Sequence, residues 1–353
     1  MKVIVTGISG SGRMDYLKKF EKYAEKRGKK VKILNVGELM FEAASKLGTR
    51  ISEEKILDLP ISTLNWLRAT VFEQILRQIE RDKTHDYVIS THTTFRWRGY
   101  LIPAFEFFYL DEIKPDLYIT IIDNVYDIKY RLEASAQWRG RLSLREILIW
   151  QDEEIFVTKM LANYQRKLHY IIALQEPEDI LYRLMYEKNV KKAYLSFPIT
   201  HVTMFDEYLK QVKEFRDKLR KILVVFDPMS INDMKILAEA QKAEKEGKKI
   251  VEITCSNGDK IAIPLEEIKN ASKEVKFHTV KRDYMLIDQS DLIVVYYPVE
   301  TMSPGVLSEM IYAFTNNKEV YALFGKEPSP FFEYYSSKIF KSEEELLRNL
   351  KNI

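Results

Sequence analysis

The stretch Val280–Ala313, VKRDYMLIDQSDLIVVYYPVETMSPGVLSEMIYA, decides the fold. It joins a charged helical segment, Lys281–Gln289, to the apolar run Leu292–Tyr297, and a second helical pattern starts at Pro304. A short apolar run between polar and proline punctuation is typical of a buried parallel strand. The loop Thr301–Gly305 then follows the carboxyl end of that strand, where open α/β sheets bind their ligands. The stretch therefore predicts an α/β fold with a ligand site after this strand.

Length and composition limit the class of protein. At 353 residues the chain is longer than one ordinary hydrophobic core requires, so we expect two domains. The hydrophobic fraction of 46% is enough for globular cores, and no apolar run approaches the roughly 20 residues that a membrane helix needs. The single cysteine, Cys255, excludes an internal disulfide, and no signal-peptide pattern follows Met1. We expect a soluble, cytoplasmic protein with no membrane partner.

The charged residues are numerous but balanced. There are 55 basic and 52 acidic side chains, and the basic residues form only short patches such as Lys26–Lys32. A nucleic-acid-binding protein usually concentrates its basic residues on one face, so this pattern disfavours a nucleic-acid partner. Abundant Lys and Glu with few Gln is a feature of thermophilic proteins.

A glycine-rich loop follows the first predicted strand, Lys2–Thr6. Glycines at this place let backbone N–H groups approach phosphate oxygens, and the next helix adds a favourable dipole. The phosphate-binding candidates are Gly7, Ser9, Gly10, Ser11, Gly12 and Arg13. The full P-loop pattern has Lys and then Ser or Thr after the last glycine, but this chain has Arg13 and Met14. Met14 has no hydroxyl for Mg²⁺, and the loop could also be a turn without a ligand.

Further motifs give the first 187 residues a family resemblance. Asn35-Val36-Gly37-Glu38-Leu39-Met40 follows the second predicted strand, His92–Arg96 comes later, and three arginines precede a helical stretch from Leu144. In this succession residues 1–187 resemble archaeal adenylate kinases. The resemblance implies that the Asn35 segment opens a nucleoside-monophosphate site lined by His92 and Arg96. It also implies a lid over the phosphates formed by Arg131, Arg139 and Arg141.

That resemblance leaves catalysis open. Arg13, Met14 and Glu38 depart from the family pattern, so nucleotide binding is better supported than phosphoryl transfer. An active kinase would use ATP and Mg²⁺, whereas a chain that only binds nucleotide would be a sensor. Without the resemblance, the three arginines of the implied lid could form a solvated face.

A second domain begins after the charged, aperiodic segment Glu187–Lys192. The α/β rhythm resumes with the predicted strand Ala193–Phe197, and an Asn-Gly pair between Ile250–Cys255 and Lys260–Ile263 predicts a β-hairpin. We therefore divide the chain into residues 1–187 and 188–353. The predicted fold is α/β, with a P-loop kinase-like parallel sheet followed by a smaller flavodoxin-like doubly wound sheet that carries an inserted hairpin.

The second domain offers carboxylates rather than metal ligands. No short His or Cys spacing suits a metal, and no Gly-x-Ser-x-Gly motif suits a serine hydrolase. Asp283, Asp291 and Glu309 remain, at predicted loops and helix starts. Paired carboxylates suit glycosyl chemistry, in which one attacks the anomeric carbon and the other assists the leaving group.

Four motifs then give residues 190–325 a second resemblance. They are Ala193-Tyr194-Leu195-Ser196-Phe197-Pro198, Arg282-Asp283, Ser290-Asp291 and Ser303-x-Gly305-Val306-x-x-Glu309. This region resembles the nucleoside 2-deoxyribosyltransferase superfamily, and most closely its 2′-deoxynucleoside 5′-phosphate N-hydrolase branch. The resemblance implies Glu309 as nucleophile, Asp283 as the group that assists the departing base, and Tyr194 beside the sugar. The implied substrate-binding residues are Ser303, which contacts the 5′-phosphate, with Gly305, Asp291, Phe197 and Pro198.

Structural alternatives exist for five of these residues. On a helical wheel Glu309 lies opposite the apolar positions and would be solvated, and Asp283 could be an exposed helix charge. Ser303 could be a plain helix cap, Asp291 a cap before a strand, and Tyr194 a core residue.

Glycosidic cleavage or transfer needs no cofactor, and its partner would be a small nucleotide or nucleoside. Members of this superfamily commonly complete their sites across a dimer, so we expect at least a homodimer.

Overall fold

The computed structural model describes residues 1–48, 51, 55–203 and 205–352, except for the side chains at positions 201 and 202. The chain forms two compact units. Unit 1 contains Met1–Asp179 and Ile231–His278, and unit 2 contains Ile180–Ser230 and Thr279–Ile353. The segment Ile231–His278 therefore departs from a linear division after residue 187, because it packs with unit 1. In the described part of the chain, no helix is both long and apolar enough to cross a membrane.

The chain alternates strands and helices. The strands are β1 Lys2–Thr6, β2 Val31–Asn35, β3 Asp86–Ser90, β4 Thr94–Trp97, β5 Tyr100–Pro103, β6 Leu117–Ile122, β7 Leu168–Ala173, β8 Lys192–Ser196, β9 Val224–Phe226, β10 Ile250–Thr254, β11 Lys260–Pro264, β12 Leu292–Tyr297, β13 Glu319–Phe324 and β14 Lys338–Phe340. The helices are α1 Arg13–Glu25, α2 Val36–Lys46, α3 Ile61–Arg81, α4 Phe107–Ile113, α5 Val125–Ala134, α6 Leu144–Tyr164, α7 Asp179–Tyr186, α8 Ile199–Val202, α9 Asp206–Arg220, α10 Met234–Lys245, α11 Leu265–Asp288, α12 Pro304–Thr315, α13 Pro330–Tyr334 and α14 Glu343–Leu350. Single 3-10 turns lie at Ile56–Asp58 and Pro228–Ser230.

Unit 1 is built on a parallel sheet with the order β2-β3-β1-β6-β7. The central strand β1 pairs with β3 at Val3↔Val88 and with β6 at Val3↔Leu117. Every residue of β6 is buried, as expected for a strand with helices on both faces of its sheet. The glycine-rich loop follows β1, so it opens at the carboxyl edge between the two neighbouring strands. This confirms the predicted P-loop kinase-like sheet.

The segment Ile231–His278 adds a helix and a hairpin to unit 1. Strands β10 and β11 pair antiparallel with Val251 opposite Ile263, and their residues alternate between buried and exposed. The buried members join the same core as the first 179 residues, together with Ile268 and Val275 of α11. The predicted hairpin around Asn257-Gly258 is thus confirmed, and its apolar face explains why the segment belongs with unit 1.

Unit 2 is a second parallel sheet, with the order β9-β8-β12-β13-β14. Numbered by appearance within the unit, this order is 2-1-3-4-5, which is the flavodoxin-like arrangement. The strand order reverses between β8 and β12, which pair at Ala193↔Leu292. Strand β12 has the predicted bounds, and all six of its residues are buried. The predicted doubly wound α/β class is therefore confirmed, and a ligand crevice is expected at the β8–β12 reversal.

Candidate functional site

The loop Gly7–Gly12 has a conformation that requires glycine. Gly10 and Gly12 have φ values of +78° and +75°, which side chains rarely tolerate. A Cβ at Gly12 would lie 2.5 Å from a methyl carbon of Leu174, and one at Gly7 would lie 2.7 Å from the Ile121 carbonyl. The loop lines a cavity of about 340 Å³. The hydroxyl of Ser11 is buried without a hydrogen-bond partner in the described part of the chain.

The guanidinium of Arg13 points into the protein and donates hydrogen bonds there. Its Nε donates to Ser90 Oγ at 2.7 Å, and its Nη1 donates to the Gly7 carbonyl at 2.5 Å. Burial lowers the pKa of Arg13 to about 10, and the negative charge of Glu154 opposes that shift. The guanidinium is therefore largely committed to holding the loop that a phosphate would occupy.

Glu154 on α6 is a site residue that the sequence analysis missed. Its carboxylate accepts hydrogen bonds from the backbone N–H groups of Thr93 and Thr94, both at 2.8 Å, and from the Thr94 hydroxyl at 2.7 Å. A longer bond of 3.3 Å comes from the Gly7 N–H. Glu154 thus joins the glycine-rich loop to the segment after β3. No motif marks it, because its donors lie more than 50 positions away in the sequence.

The three arginines predicted to form a lid make separate contacts. Arg131 bonds to the Gly10 carbonyl and forms an ion pair with the carboxylate of Asp123. Arg139 donates to the Glu133 carbonyl at 3.0 Å, and the guanidinium of Arg141 lies over the Trp97 ring, 5.1 Å from the ring centre. Arg131 contacts the loop, whereas these contacts tie Arg139 and Arg141 to α5 and to β4.

A second cavity of about 520 Å³ adjoins the loop cavity. The two share Ser9, His92, Ser135 and Trp138 as lining residues. The larger cavity is mainly aromatic and apolar, and its charged lining residues are Arg68 and Arg139. A planar base and an anionic group would both find suitable partners in it.

The residues predicted to line a monophosphate site divide between this cavity and other roles. His92 lines both cavities, and burial and the charge of Arg13 hold its pKa well below the usual value, so the ring is neutral. Arg96 instead pairs with Glu153, with N–O distances of 2.5 and 3.1 Å. Asn35 caps α2 by accepting a hydrogen bond from Gly37 N–H at 3.2 Å, and Gly37 lines the larger cavity.

The residues near the loop do not fit the Mg²⁺ site of a P-loop. Position 14 has a thioether in place of the hydroxyl ligand. The Asp123 carboxylate is already paired with Arg131, and burial raises its pKa to about 6. In the described ranges, no group of three or more His, Cys, Asp or Glu residues is placed to hold a metal ion.

In unit 2 the structure brings Tyr194 and Glu309 together. The Tyr194 hydroxyl donates to Glu309 Oε1 at 2.8 Å, and the Ser196 hydroxyl donates to Oε2 at 2.5 Å. Tyr194 and Ser196 lie two apart on β8 and face the same side of the sheet. Glu309 comes from α12, which follows β12. The carboxylate therefore lies at the strand-order reversal, where sheets of this class bind ligands.

Asp283 acts electrostatically on the same carboxylate. Burial, and then the negative charge of Asp283, raise the pKa of Glu309 to about 8, while the two hydroxyl donors and Arg282 oppose the shift. The pKa of Tyr194 is likewise held well above its usual value by burial, Asp283 and Glu309. Arg282, on the same helix, donates to Asp283 at 3.1 Å. These surroundings therefore favour the protonated form of Glu309 near neutral pH.

The other residues predicted for this site differ in position. Ser303 caps α12 by accepting from Val306 N–H at 3.5 Å, and its own N–H donates to the Tyr297 hydroxyl at 2.6 Å. Phe197 and Pro198 follow β8 at the carboxyl edge, and Gly305 is in the first turn of α12. Asp291 lies at the amino end of β12 and accepts from Lys192 N–H at 2.8 Å. It is a strand cap at the opposite edge of the sheet and does not join the site.

Comparisons with known proteins concern the N-terminal half. A family model described as an AAA domain matches residues 6–147. The adenylate kinase of Methanocaldococcus jannaschii is 26% identical over 162 residues, which cover 45% of this chain and 80% of that enzyme. Those of Sulfurisphaera tokodaii and Methanothermobacter thermautotrophicus are 28% and 26% identical over 116 and 153 residues, covering 33% and 42% of this chain and 60% and 77% of theirs. The N-terminal half is a P-loop kinase-like domain. These matches support nucleotide binding there.

Proposed function

We propose that unit 2 breaks the N-glycosidic bond of a nucleoside or nucleotide and passes the sugar to water or to a second base. The proposed substrates include those with a 2-deoxy sugar. The observation that carries this proposal is the buried carboxylate of Glu309, held by two hydroxyl donors at the strand-order reversal with Asp283 acting on it. Glycosyl transfer requires two neighbouring carboxyl groups, one that attacks as a carboxylate and one that gives a proton to the leaving group.

In the proposed reaction, substrate binding moves the proton of Glu309 to Asp283. Ionised Glu309 attacks the anomeric carbon, the carbon–nitrogen bond breaks, and the leaving base takes the proton from Asp283. A water molecule, or a second base in a transfer reaction, then gives a proton to Asp283 and attacks the same carbon, which releases Glu309 as a carboxylate. Tyr194 and Ser196 stabilise the negative charge of Glu309 at the start and end of the cycle.

The phosphate of a nucleotide substrate would bind at the first turn of α12. Ser303 caps this helix, and a helix N-terminus favours an anion through its free N–H groups and its dipole. Under this proposal a 5′-phosphate improves binding, while the chemical step depends on the carboxylates.

Base release tests the proposal directly. Purified protein is incubated with nucleosides and nucleoside 5′-monophosphates, each with ribose and with deoxyribose, and free base is measured by chromatography. We expect release by the wild type and loss to background in Glu309→Gln, with Asp283→Asn slower by about 10²–10⁴-fold. Glu207→Gln, on an exposed part of α9, is the matched control. If no substrate loses its base, or if Glu309→Gln equals the wild type, the proposal fails.

For unit 1 we propose binding of an adenine nucleotide, with its phosphates at the glycine-rich loop. The name of the relatives, adenylate kinase, and the similarity to them suggest ATP as this nucleotide. A second candidate function for this unit is phosphoryl transfer between two nucleotides, favoured by the two cavities that meet at Ser9 and His92. ADP formation from ATP and a monophosphate would select the transferase. Tight nucleotide binding in calorimetry without turnover would select a nucleotide sensor.

A further inference from the structure

Two tyrosines join helices α11 and α12 inside unit 2. The hydroxyls of Tyr284 and Ser308 lie 2.5 Å apart, and the Tyr312 hydroxyl donates to Asp288 Oδ1 at 2.9 Å. The rings of Tyr284 and Tyr312 stack with their centres 4.1 Å apart and their planes 7° from parallel. On each helix the two bonded residues are four positions apart, which places them on one face and one turn apart. We call these four residues the tyrosine brace.

The brace adjoins both carboxylates of the proposed site. Tyr284 directly follows Asp283 on α11, and Ser308 directly precedes Glu309 on α12. A hydrogen bond between Tyr284 and Ser308 therefore limits the sliding and rotation of the two helices at the level of the carboxylates. Within the described residues, the hydrogen bonds of Glu309 lead to Tyr194 and Ser196 on β8, so they do not by themselves determine how far it lies from Asp283.

We propose that Tyr284 and Ser308 are positioning residues that set the separation of Asp283 and Glu309. This inference rests on the proposed glycosidic function. The separation matters because a carboxylate pair about 5 Å apart forms a covalent glycosyl intermediate, whereas a pair about 6.5–9.5 Å apart leaves room for a water molecule and inverts the sugar. Under this inference the two residues hold the separation short, which keeps Glu309 a nucleophile.

Removing the hydroxyl of Tyr284 tests this role without removing its ring. In Tyr284→Phe the stack on Tyr312 remains while the bond to Ser308 is lost, and Ser308→Ala removes the same bond from the other side. Tyr312→Phe is the matched control, since it removes a similar bond about 5–6 Å further along the helices. Each variant is measured for kcat and KM, and for the pKa of Glu309 by carbon-13 NMR of labelled glutamate carboxyls, assigned by the signal missing in Glu309→Gln.

We expect Tyr284→Phe and Ser308→Ala to lower kcat by about 10–100-fold, because a shift of about 1 Å between reacting groups has effects of that size. KM should stay within about twofold, since no substrate contact is removed. The pKa of Glu309 should fall in both variants as Asp283 recedes and water enters, and Tyr312→Phe should change neither quantity. Equal effects in all three variants, or unchanged kcat and pKa in Tyr284→Phe, would overturn the inference.

The pKa measurement separates this inference from the proposed function. It needs no turnover, so a fall in the pKa of Glu309 in Tyr284→Phe supports the positioning role of Tyr284 and Ser308 even if no substrate releases its base. Conversely, base release by the wild type with the same kcat and the same pKa in Tyr284→Phe would support the glycosidic function and contradict that positioning role.

Discussion

Glu309 is an acid whose surroundings oppose its charge. Burial and the neighbouring Asp283 raise its pKa from 4.5 to about 8. Between these two pH values the folded protein holds a proton at this site that the unfolded chain has released. The contribution of the group to stability is therefore fully present below about pH 4.5 and is lost as pH rises through about 8.

The first prediction follows from this loss of stability with rising pH. We expect the melting temperature of the wild type to decline between about pH 5 and pH 8 more steeply than that of Glu309→Gln, which has no proton to lose at this position. Thermal unfolding measured across this range, with Glu207→Gln as control, gives the comparison. Parallel curves for wild type and Glu309→Gln would show that the carboxyl group titrates normally.

The same residue shows what the sequence could and could not reveal. Family resemblance pointed to Glu309, but its helical wheel placed the side chain in water, because a wheel assumes one apolar partner surface. In the structure the side chain reaches β8, where Tyr194 and Ser196 receive it. Ser196 lies within the motif Ala193–Pro198, but the sequence analysis did not identify it as a site residue. No sequence pattern relates position 196 to position 309, so their contact appears only in the structure.

At the scale of elements, the hairpin β10–β11 supports the helix that carries Arg131. The Ser256 hydroxyl and N–H both donate to the Asp127 carboxylate on α5, at 2.6 and 2.8 Å. Arg131, one turn further along α5, bonds to the Gly10 carbonyl of the glycine-rich loop. A residue from position 256 thus helps to hold the helix that contacts the loop near position 10.

The second prediction is that Ser256→Ala weakens this support. Losing one hydrogen bond to a buried carboxylate should lower the free energy of unfolding by about 1.5–3 kcal/mol, and nucleotide affinity should fall because α5 is less firmly held. Urea unfolding and titration with a fluorescent nucleotide measure the two effects. Glu252→Gln, on the exposed face of the same hairpin, is the control, and equal behaviour of the two variants would contradict the prediction.

Element boundaries were predictable where packing is simple. Strand β12 is buried on both faces, so its whole length is apolar, and the hairpin has an Asn-Gly turn. Helix α11 was expected only at Lys281–Gln289, yet it starts at Leu265. Its buried positions continue through Val275 to Leu286, but two of them are His278 and Arg282. These polar residues interrupt the apolar periodicity, so the sequence pattern did not predict the full length of the helix.

At the scale of the whole molecule, one part of the second half of the chain belongs to the first unit. The segment Ile231–His278 contributes apolar residues to the core of unit 1, which include Ile236, Val251, Ile253, Ile263, Ile268 and Val275. A boundary chosen along the sequence, at residue 187, separates these residues from the core that they complete. Sequence patterns mark strands and helices but do not state which sheet an inserted segment will cover.

The third prediction concerns two shortened chains. Residues 1–187 alone should expose the apolar surface that the segment covers, and we expect this chain to aggregate or to melt at lower temperature, with no nucleotide binding. Residues 1–179 joined by a flexible linker to residues 231–278 should melt cooperatively and bind nucleotide. Calorimetry on both chains is the measurement, and equal stability and binding would show that the segment is dispensable.

The central claim is that Glu309 is a nucleophile, and a covalent adduct tests it most directly. Wild-type protein is mixed with the nucleotide that releases its base fastest, quenched during turnover, digested and analysed by mass spectrometry. We predict a sugar or sugar-phosphate adduct on the peptide that contains Glu309, and none in Glu309→Gln. Base release at the wild-type rate by Glu309→Gln, with no adduct on this peptide in the wild type, would contradict the account.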